Sequence, residues 1–148
     1  MNQKSNVQKL RELTGAGIMI CKHALDDAAG DLDKAIALIK ERGFAKAAEK
    51  ASRETKAGLV KAYVHNDRVG TLLELNCETD FVARSDSFRE LAHNLAMQIV
   101  AMNPKNMDEL LAQPYIKDES VVINDLLKEV ILKTGENVKV GRFTRYEL

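Results

Sequence analysis

Residues 69–77, Val-Gly-Thr-Leu-Leu-Glu-Leu-Asn-Cys, alternate with a period of two: Val69, Thr71, Leu73, Leu75 and Cys77 share one face, and Glu74 and Asn76 the other. Such a period fits a pleated strand with one side against a core and one toward water. Residues 59–65 precede it across Asn66-Asp67-Arg68, a short polar connection suited to an antiparallel hairpin. Behind it a helix is predicted, because Ser87 and Glu90 have capping-box spacing and Phe88, Leu91, Leu95, Ile99 and Met102 follow at helical intervals. Thr79 to Val82 therefore bridges strand and helix, leaving Asp80 beside Phe81 at a loop-like tip. An exposed phenylalanine next to an acid points to docking rather than catalysis. Taken alone, however, Phe81 reads more readily as a ring that folds back to plug the gap beside the Phe88 helix, and Asp80 as a polar turn residue.

Three short helical patterns fill the first 43 residues. Ser5 and Gln8 make a capping box, Val7, Leu10 and Leu13 lie on one face, and Gly15-Ala16-Gly17 ends the pattern. Ile18, Cys21, Leu25 and Ala28 recur at helical spacing before Gly30, and Asp31 caps a third helix whose buried face is Leu32, Ala35, Ile36 and Ile39. Lys40 and Arg42 suit the negative end of that helix, and Gly43 stands where a left-handed cap is wanted. Residues 44–56 are rich in Ala, Lys, Arg and Glu with no face that demands burial, and read as a tether. From residue 57 to 148 the pattern is a hairpin, the Phe88 helix stopped at Pro104, a short helix over residues 107–111, and a helix carrying Ile123, Leu126, Leu127, Val130 and Ile131 that ends at Gly135. A last strand follows, with a bulge at Gly141 where the apolar phase slips between Val140 and Phe143. Strands before and after helices predict an α+β core: a small antiparallel sheet covered on one side by two helices. A three-stranded sheet has open edges, and self-association into a homodimer is one way to close them.

Composition narrows the chemistry. The 22 basic and 22 acidic residues cancel, so no long-range field of one sign draws the chain to nucleic acid or an anionic membrane, and another protein is the expected partner. The basic stripe Lys46, Lys50, Arg53 and Lys56 is interrupted by Glu49 and Glu54 and carries no interleaved aromatics, so it reads as a solvated helix face. Cys21 and Cys77 lack CxxC spacing and the residues from Met1 to Ser5 carry no apolar signal region, which together fit a reducing, cytoplasmic setting. No apolar run approaches the ~20 residues that a bilayer crossing needs. Gly15-Ala16-Gly17 follows a helix and has Ile20 where a dinucleotide fingerprint needs a third glycine, and no phosphate-cradling loop ends in Lys-Ser or Lys-Thr. No cofactor is expected. His23, His65 and His93 lie on different elements, so no metal site is expected either. Cys77 with His65, Glu78 and Asp80 offers the parts of a thiol site, but Cys77 falls on the apolar phase of the strand and reads as a buried structural thiol. Met19 and Lys22 point away from the Cys21 and Leu25 stripe and share the exposed face of the second helix.

The run Leu75-Asn76-Cys77-Glu78-Thr79-Asp80-Phe81-Val82 resembles a signature of the translation elongation factor Ts family, and Leu10 to Met19 with Cys21-Lys22-His23-Ala24-Leu25 is similar to that family's N-terminal signature. Both occur in the family's order, and the likeness extends over essentially the whole chain. It implies a ubiquitin-associated-like three-helix module at residues 1–43, a tether at 44–56 and an α+β core at 57–148. It also implies a guanine-nucleotide exchange factor for elongation factor Tu that does no covalent chemistry. Thr79, Asp80, Phe81 and Val82 would dislodge Mg²⁺ from the GTPase, while Met19 and Lys22 would hold one of its helices. Longer members carry a second core repeat and a coiled-coil insertion, and contacts made by those parts do not transfer to this sequence. A single core repeat is expected to pair with a second copy. The competing reading is a ubiquitin-associated-like adaptor that binds another protein or RNA.

Overall fold

The computed structural model describes residues 3–148, so Met1 and Asn2 of the N-terminal reading lie outside the described residues. By contacts the chain divides into two compact units, one reaching to Glu49 and the other running from Lys50 to Leu148.

The first unit is helical: α1 (Gln3–Thr14), α2 (Ile18–Asp27) and α3 (Leu32–Lys50). Ser5 lies inside α1 rather than capping it. Leu10 is fully buried, whereas Leu13, placed on the same face by the sequence pattern, is 68% exposed. The Thr14 hydroxyl closes α1, donating to the Leu10 carbonyl at 2.7 Å and accepting from the Ala16 amide at 3.2 Å. Cys21, Leu25 and Ala28 are buried along α2 and its C-cap, as the spacing predicts, with Ala24 beside them; Ile18, which the pattern placed at the head of that stripe, is instead 56% exposed. Ala29 and Gly30 turn left-handed behind it, with the Gly30 amide bonded back to the Leu25 carbonyl at 2.8 Å. Asp31 caps α3 through the Lys34 amide at 3.1 Å. Gly43 does not end α3; it is buried within the helix, which runs on to Lys50. The alanines, lysines and glutamate that follow are strong helix formers and outweigh the ~1 kcal/mol penalty of one internal glycine. Lys40 also reaches over the Phe44 ring one turn later, 5.7 Å from its centre. Residues 44–50 thus belong to a helix, and the sheet begins at Ala57.

The second unit comprises β1 (Ala57–His65), β2 (Val69–Cys77), α4 (Asp80–Ala83), α5 (Asp86–Met102), α6 (Met107–Ala112), β3 (Pro114–Tyr115), β4 (Asp118–Val122), α7 (Ile123–Thr134) and β5 (Lys139–Glu147). The main sheet has order β1-β2-β5, antiparallel throughout. Asn66 and Asp67 both take positive φ in the β1–β2 turn, the backbone sense that matches strand twist. The inner face of β2 is buried at Thr71, Leu73, Leu75 and Cys77, as its alternation requires. Thr71 satisfies its buried hydroxyl by donating to the Thr144 carbonyl at 2.6 Å.

Phe88, Leu91, Leu95 and Ile99 are buried on α5, which lies on β1 and β2. Each such side chain contributes about 1.5–3 kcal/mol of apolar burial. The N-cap of α5 is Ser85, not Ser87. Arg145 on β5 donates to the Val100 carbonyl near the other end at 3.2 and 3.0 Å, a cation where a helix ends negative. Met102 is exposed. Helix α7 packs on α5 and α6, so α5, with the turn α4, covers the sheet rather than two long helices side by side. Gly135 ends α7 with φ 75°, as expected. The register of β5 slips opposite Glu74, between Val140 and Phe143, which places the bulge at Gly141 and Arg142. A Cβ on Gly141 would lie 2.8 Å from the Glu74 carboxylate, which accepts from the Arg142 amide at 3.0 Å. The small β3–β4 ribbon was not expected from the sequence. Gln98, a polar residue within the apolar stripe of α5, accepts from the Ile116 amide at 2.9 Å and donates to the Pro114 carbonyl at 3.0 Å to hold it.

Candidate functional site

The bridge between β2 and α5 is a single helical turn, α4, rather than a loose loop. Thr79 is its N-cap: the hydroxyl accepts from the Val82 amide at 3.3 Å, and the Ala83 amide bonds to the Thr79 carbonyl at 3.2 Å. Val82 and Ala83 are buried and root the turn in the core, while Asp80 and Phe81 face solvent. Phe81 is 86% exposed. The plug reading of this ring is therefore overturned: the buried Val82 and Ala83, with Phe88 behind them, seal that end of the core without it. The structure brings Thr79, Asp80, Phe81 and Val82 together on one turn, with Val82 facing inward.

Hydrogen bonds stiffen the base of this tip. Glu136, just beyond α7, accepts at Oε1 from the amides of Glu78 at 3.1 Å and Thr79 at 2.9 Å, and at Oε2 from the Thr79 hydroxyl at 2.7 Å. Glu78 answers by accepting from the Asn137 amide at 2.7 Å. Asn137, itself buried, donates to the Arg53 carbonyl at 2.8 Å. On the far side of the turn, Ser85 donates to the Val82 carbonyl at 2.7 Å. Sequence reading missed Glu136 and Asn137; the one available signal was a polar pair placed directly after a helix-ending glycine and before an apolar strand.

Cys77 lies under the tip, with its thiol donating to the Thr79 carbonyl at 3.2 Å. Burial pushes its pKa up, and the charge of Glu136 raises it further. A raised thiol pKa at a buried position disfavours the thiolate that nucleophilic chemistry needs. Within the second unit His65 and His93 do not meet Cys77: they flank Tyr63, whose hydroxyl lies 3.0 Å from His65 Nδ1. Among the described residues no cluster of His, Cys, Asp and Glu has the arrangement to hold a metal ion, and no helix is long and apolar enough to cross a membrane.

In the first unit, Met19 and Lys22 are one turn apart on α2 and both exposed. Leu13 and Ile18, on either side of the α1–α2 connection, are exposed as well. In the second unit, the sheet face opposite α5 shows Val60, Val64, Leu72 and Tyr146 to solvent. Glu74 and Arg142 form an ion pair on the same strands, which holds the glutamate below the usual carboxylate range.

Fold and site together define a class: a two-unit α+β protein that presents a braced acid–aromatic turn. Comparison with known proteins makes the class specific. The family model described as Elongation factor TS matches residues 78–148. The chain is 44% identical to elongation factor Ts of Thermotoga petrophila and to that of Thermotoga maritima, with 96% of this chain and 94% of each relative covered. It is 39% identical to elongation factor Ts of Thermodesulfovibrio yellowstonii over the same shares. The alignments span 186 positions, more than the 148 residues of this chain, so these relatives carry residues within the aligned region that it lacks. The chain belongs to the elongation factor Ts family, and its role lies in translation elongation.

Proposed function

We propose that this chain is a guanine-nucleotide exchange factor for elongation factor Tu, acting in the cytoplasm and doing no covalent chemistry. The observation that carries the reading is Phe81, 86% exposed on a turn whose neighbours are pinned to the core. An aromatic held out in water is costly to display and gains strongly when a partner buries it. In this reading Asp80 and Phe81, presented by Thr79 and Val82, enter the GTPase beside its phosphate and Mg²⁺ site. The N-terminal helical unit, which reaches to Glu49, docks through Met19 and Lys22, which sets the direction of approach. Asp80 acts by charge and position.

The physics is reciprocal linkage. If factor and GDP favour different arrangements of the metal-binding and phosphate-binding loops, each weakens the other's binding by the same factor. Loss of Mg²⁺ removes the cation that neutralises phosphate charge, so GDP leaves; GTP then displaces the factor. We also propose that two copies pair through the open sheet faces. No contact with nucleic acid or membrane enters this mechanism.

The test is stopped-flow release of a fluorescent GDP analogue from elongation factor Tu at fixed free Mg²⁺. Strong acceleration is expected. Phe81→Ala should lose roughly tenfold to a hundredfold of it, the equivalent of one buried aromatic. A well-folded sample without acceleration would instead favour an adaptor that binds some other protein or RNA.

A further inference from the structure

We infer that Glu136 is a positioning residue for exchange: its carboxylate fixes the angle at which the Asp80–Phe81 turn leaves the sheet. The inference rests on the reading of that turn as the working surface.

Three donors converge on this carboxylate, and all belong to Glu78 and Thr79, the two residues immediately before Asp80. They reach it from the far end of β2 rather than from the turn that follows α7. A side chain whose task was to finish α7 would bond within its own turn, whereas this one spans 57 residues of sequence to the Thr79 amide. The two successive amides also lie where β2 ends and pairing runs out: Cys77 pairs with Ala57, and β5 reaches only to Asn76. Without Glu136 those N–H groups would turn to water, and the backbone dihedrals that set the tip's direction would loosen. The Thr79 hydroxyl donates to Glu136 while accepting from the Val82 amide, so the same carboxylate orients the cap of the turn. The reciprocal bond from the Asn137 amide to Glu78 prevents the two segments from sliding past each other. A wedge that works by forcing loops apart has to hold its position under load, and a pre-set geometry spares the ordering cost on contact.

The experiment measures GDP release from elongation factor Tu over a range of factor concentrations for wild type, Glu136→Ala, Glu136→Gln, Phe81→Ala and the double variant Glu136→Ala with Phe81→Ala. Amide hydrogen exchange of each free factor is followed in parallel. Glu136→Ala is expected to lower the maximal release rate on the order of tenfold, with a much smaller change in half-saturation, since Met19 and Lys22 are untouched. Glu136→Gln, whose amide oxygen still accepts from both backbone amides, should recover much of the rate. The double variant should match Phe81→Ala alone, because a residue acting through the tip has nothing left to position. Protection should fall at Glu78 and Thr79 and persist at Leu73 and Leu75. An unchanged rate in Glu136→Ala overturns the inference, as does an equal further loss in the Phe81→Ala background. Should Glu136→Ala fail to fold, Glu136→Asp, which keeps the charge but draws the carboxylate back from the Glu78 and Thr79 amides, is judged by the same criteria. A wild type that does not accelerate release refutes the exchange reading and with it a role in exchange for Glu136, while the hydrogen-exchange arm still reads whether Glu136 orders the turn.

Discussion

Cys77 closes the inner face of β2, and its environment leads to a stability prediction. Its thiol pKa is raised by burial first and by the charge of Glu136 second. The native state therefore keeps a proton that the unfolded chain gives up near the ordinary thiol value of about 8.5. Where the native state binds more protons, stability falls as pH rises, so this contribution is intact below the unfolded thiol pKa and is lost progressively up to the folded one. Urea unfolding midpoints should fall more steeply above pH 8.5 in wild type than in Cys77→Ala; parallel slopes would contradict the assignment. Tyr115, raised by burial and then by Glu90, adds a similar slope at higher pH, which the comparison cancels. Legibility differed among these residues. The burial of Cys77 follows from alternation along one strand. The exposure of Phe81 does not, because a loop aromatic has equally good local reasons to fold in or out until Val82 and Ala83 are seen to fill the space. Glu136 is further out of reach, since its partners are set by the meeting of distant segments.

Among the elements, periodicity was most telling for α5, α7 and β2, which bury a regular stripe, whereas β1 and β5, whose residues are at most half-buried, were placed by the turn and bulge signals beside them. It was less useful where local and tertiary preferences compete. Gly43 resembles a helix stop, yet the helix-forming residues after it carry α3 through. Ser87 with Glu90 resembles a capping box, yet α5 begins after Ser85, whose hydroxyl is committed to the Val82 carbonyl that ends α4. The β3–β4 ribbon has too few residues for any periodicity and depends on Gln98 for its anchoring. At the start of β1, Gly58 has φ 152°, and a Cβ there would run into the Leu75 carbonyl oxygen and sit 2.9 Å from the Asn76 Cα. Gly58→Ala should therefore weaken the β1–β2 pairing by about 1–3 kcal/mol, read as a lower urea midpoint with early loss of amide protection along β1. A midpoint equal to wild type would mean that the strand can shift to accept the methyl group.

For the whole molecule, the outer face of the sheet is the largest departure from a self-contained fold. Val60 and Val64 on β1, Leu72 on β2 and Tyr146 on β5 stand in solvent, and β1 and β5 are both edge strands. An apolar face beside unpaired edges favours association. Sedimentation should give twice the monomer mass, and Val64→Lys with Leu72→Lys should halve it while the helical circular dichroism signal is retained. A monomeric wild type, at concentrations where it still speeds GDP release, would refute the pairing. The sequence allowed this expectation from strand count alone; that the exposed face is apolar required the register of three strands. The bond between Glu136 and Thr79 also bears on the order of synthesis. The ribosome makes a chain from its N-terminus, and domains fold as their parts emerge. Asp80 and Phe81 are made well before Glu136, and the outer strand β5 follows later still. A nascent chain broken off within α7 would carry both signature segments and the β1–β2 hairpin, but its turn would lack its brace. The turn thus gains its fixed geometry only once Glu136 has emerged, so a chain broken off before that residue would display Phe81 without the stiffness that the proposed exchange role asks of it.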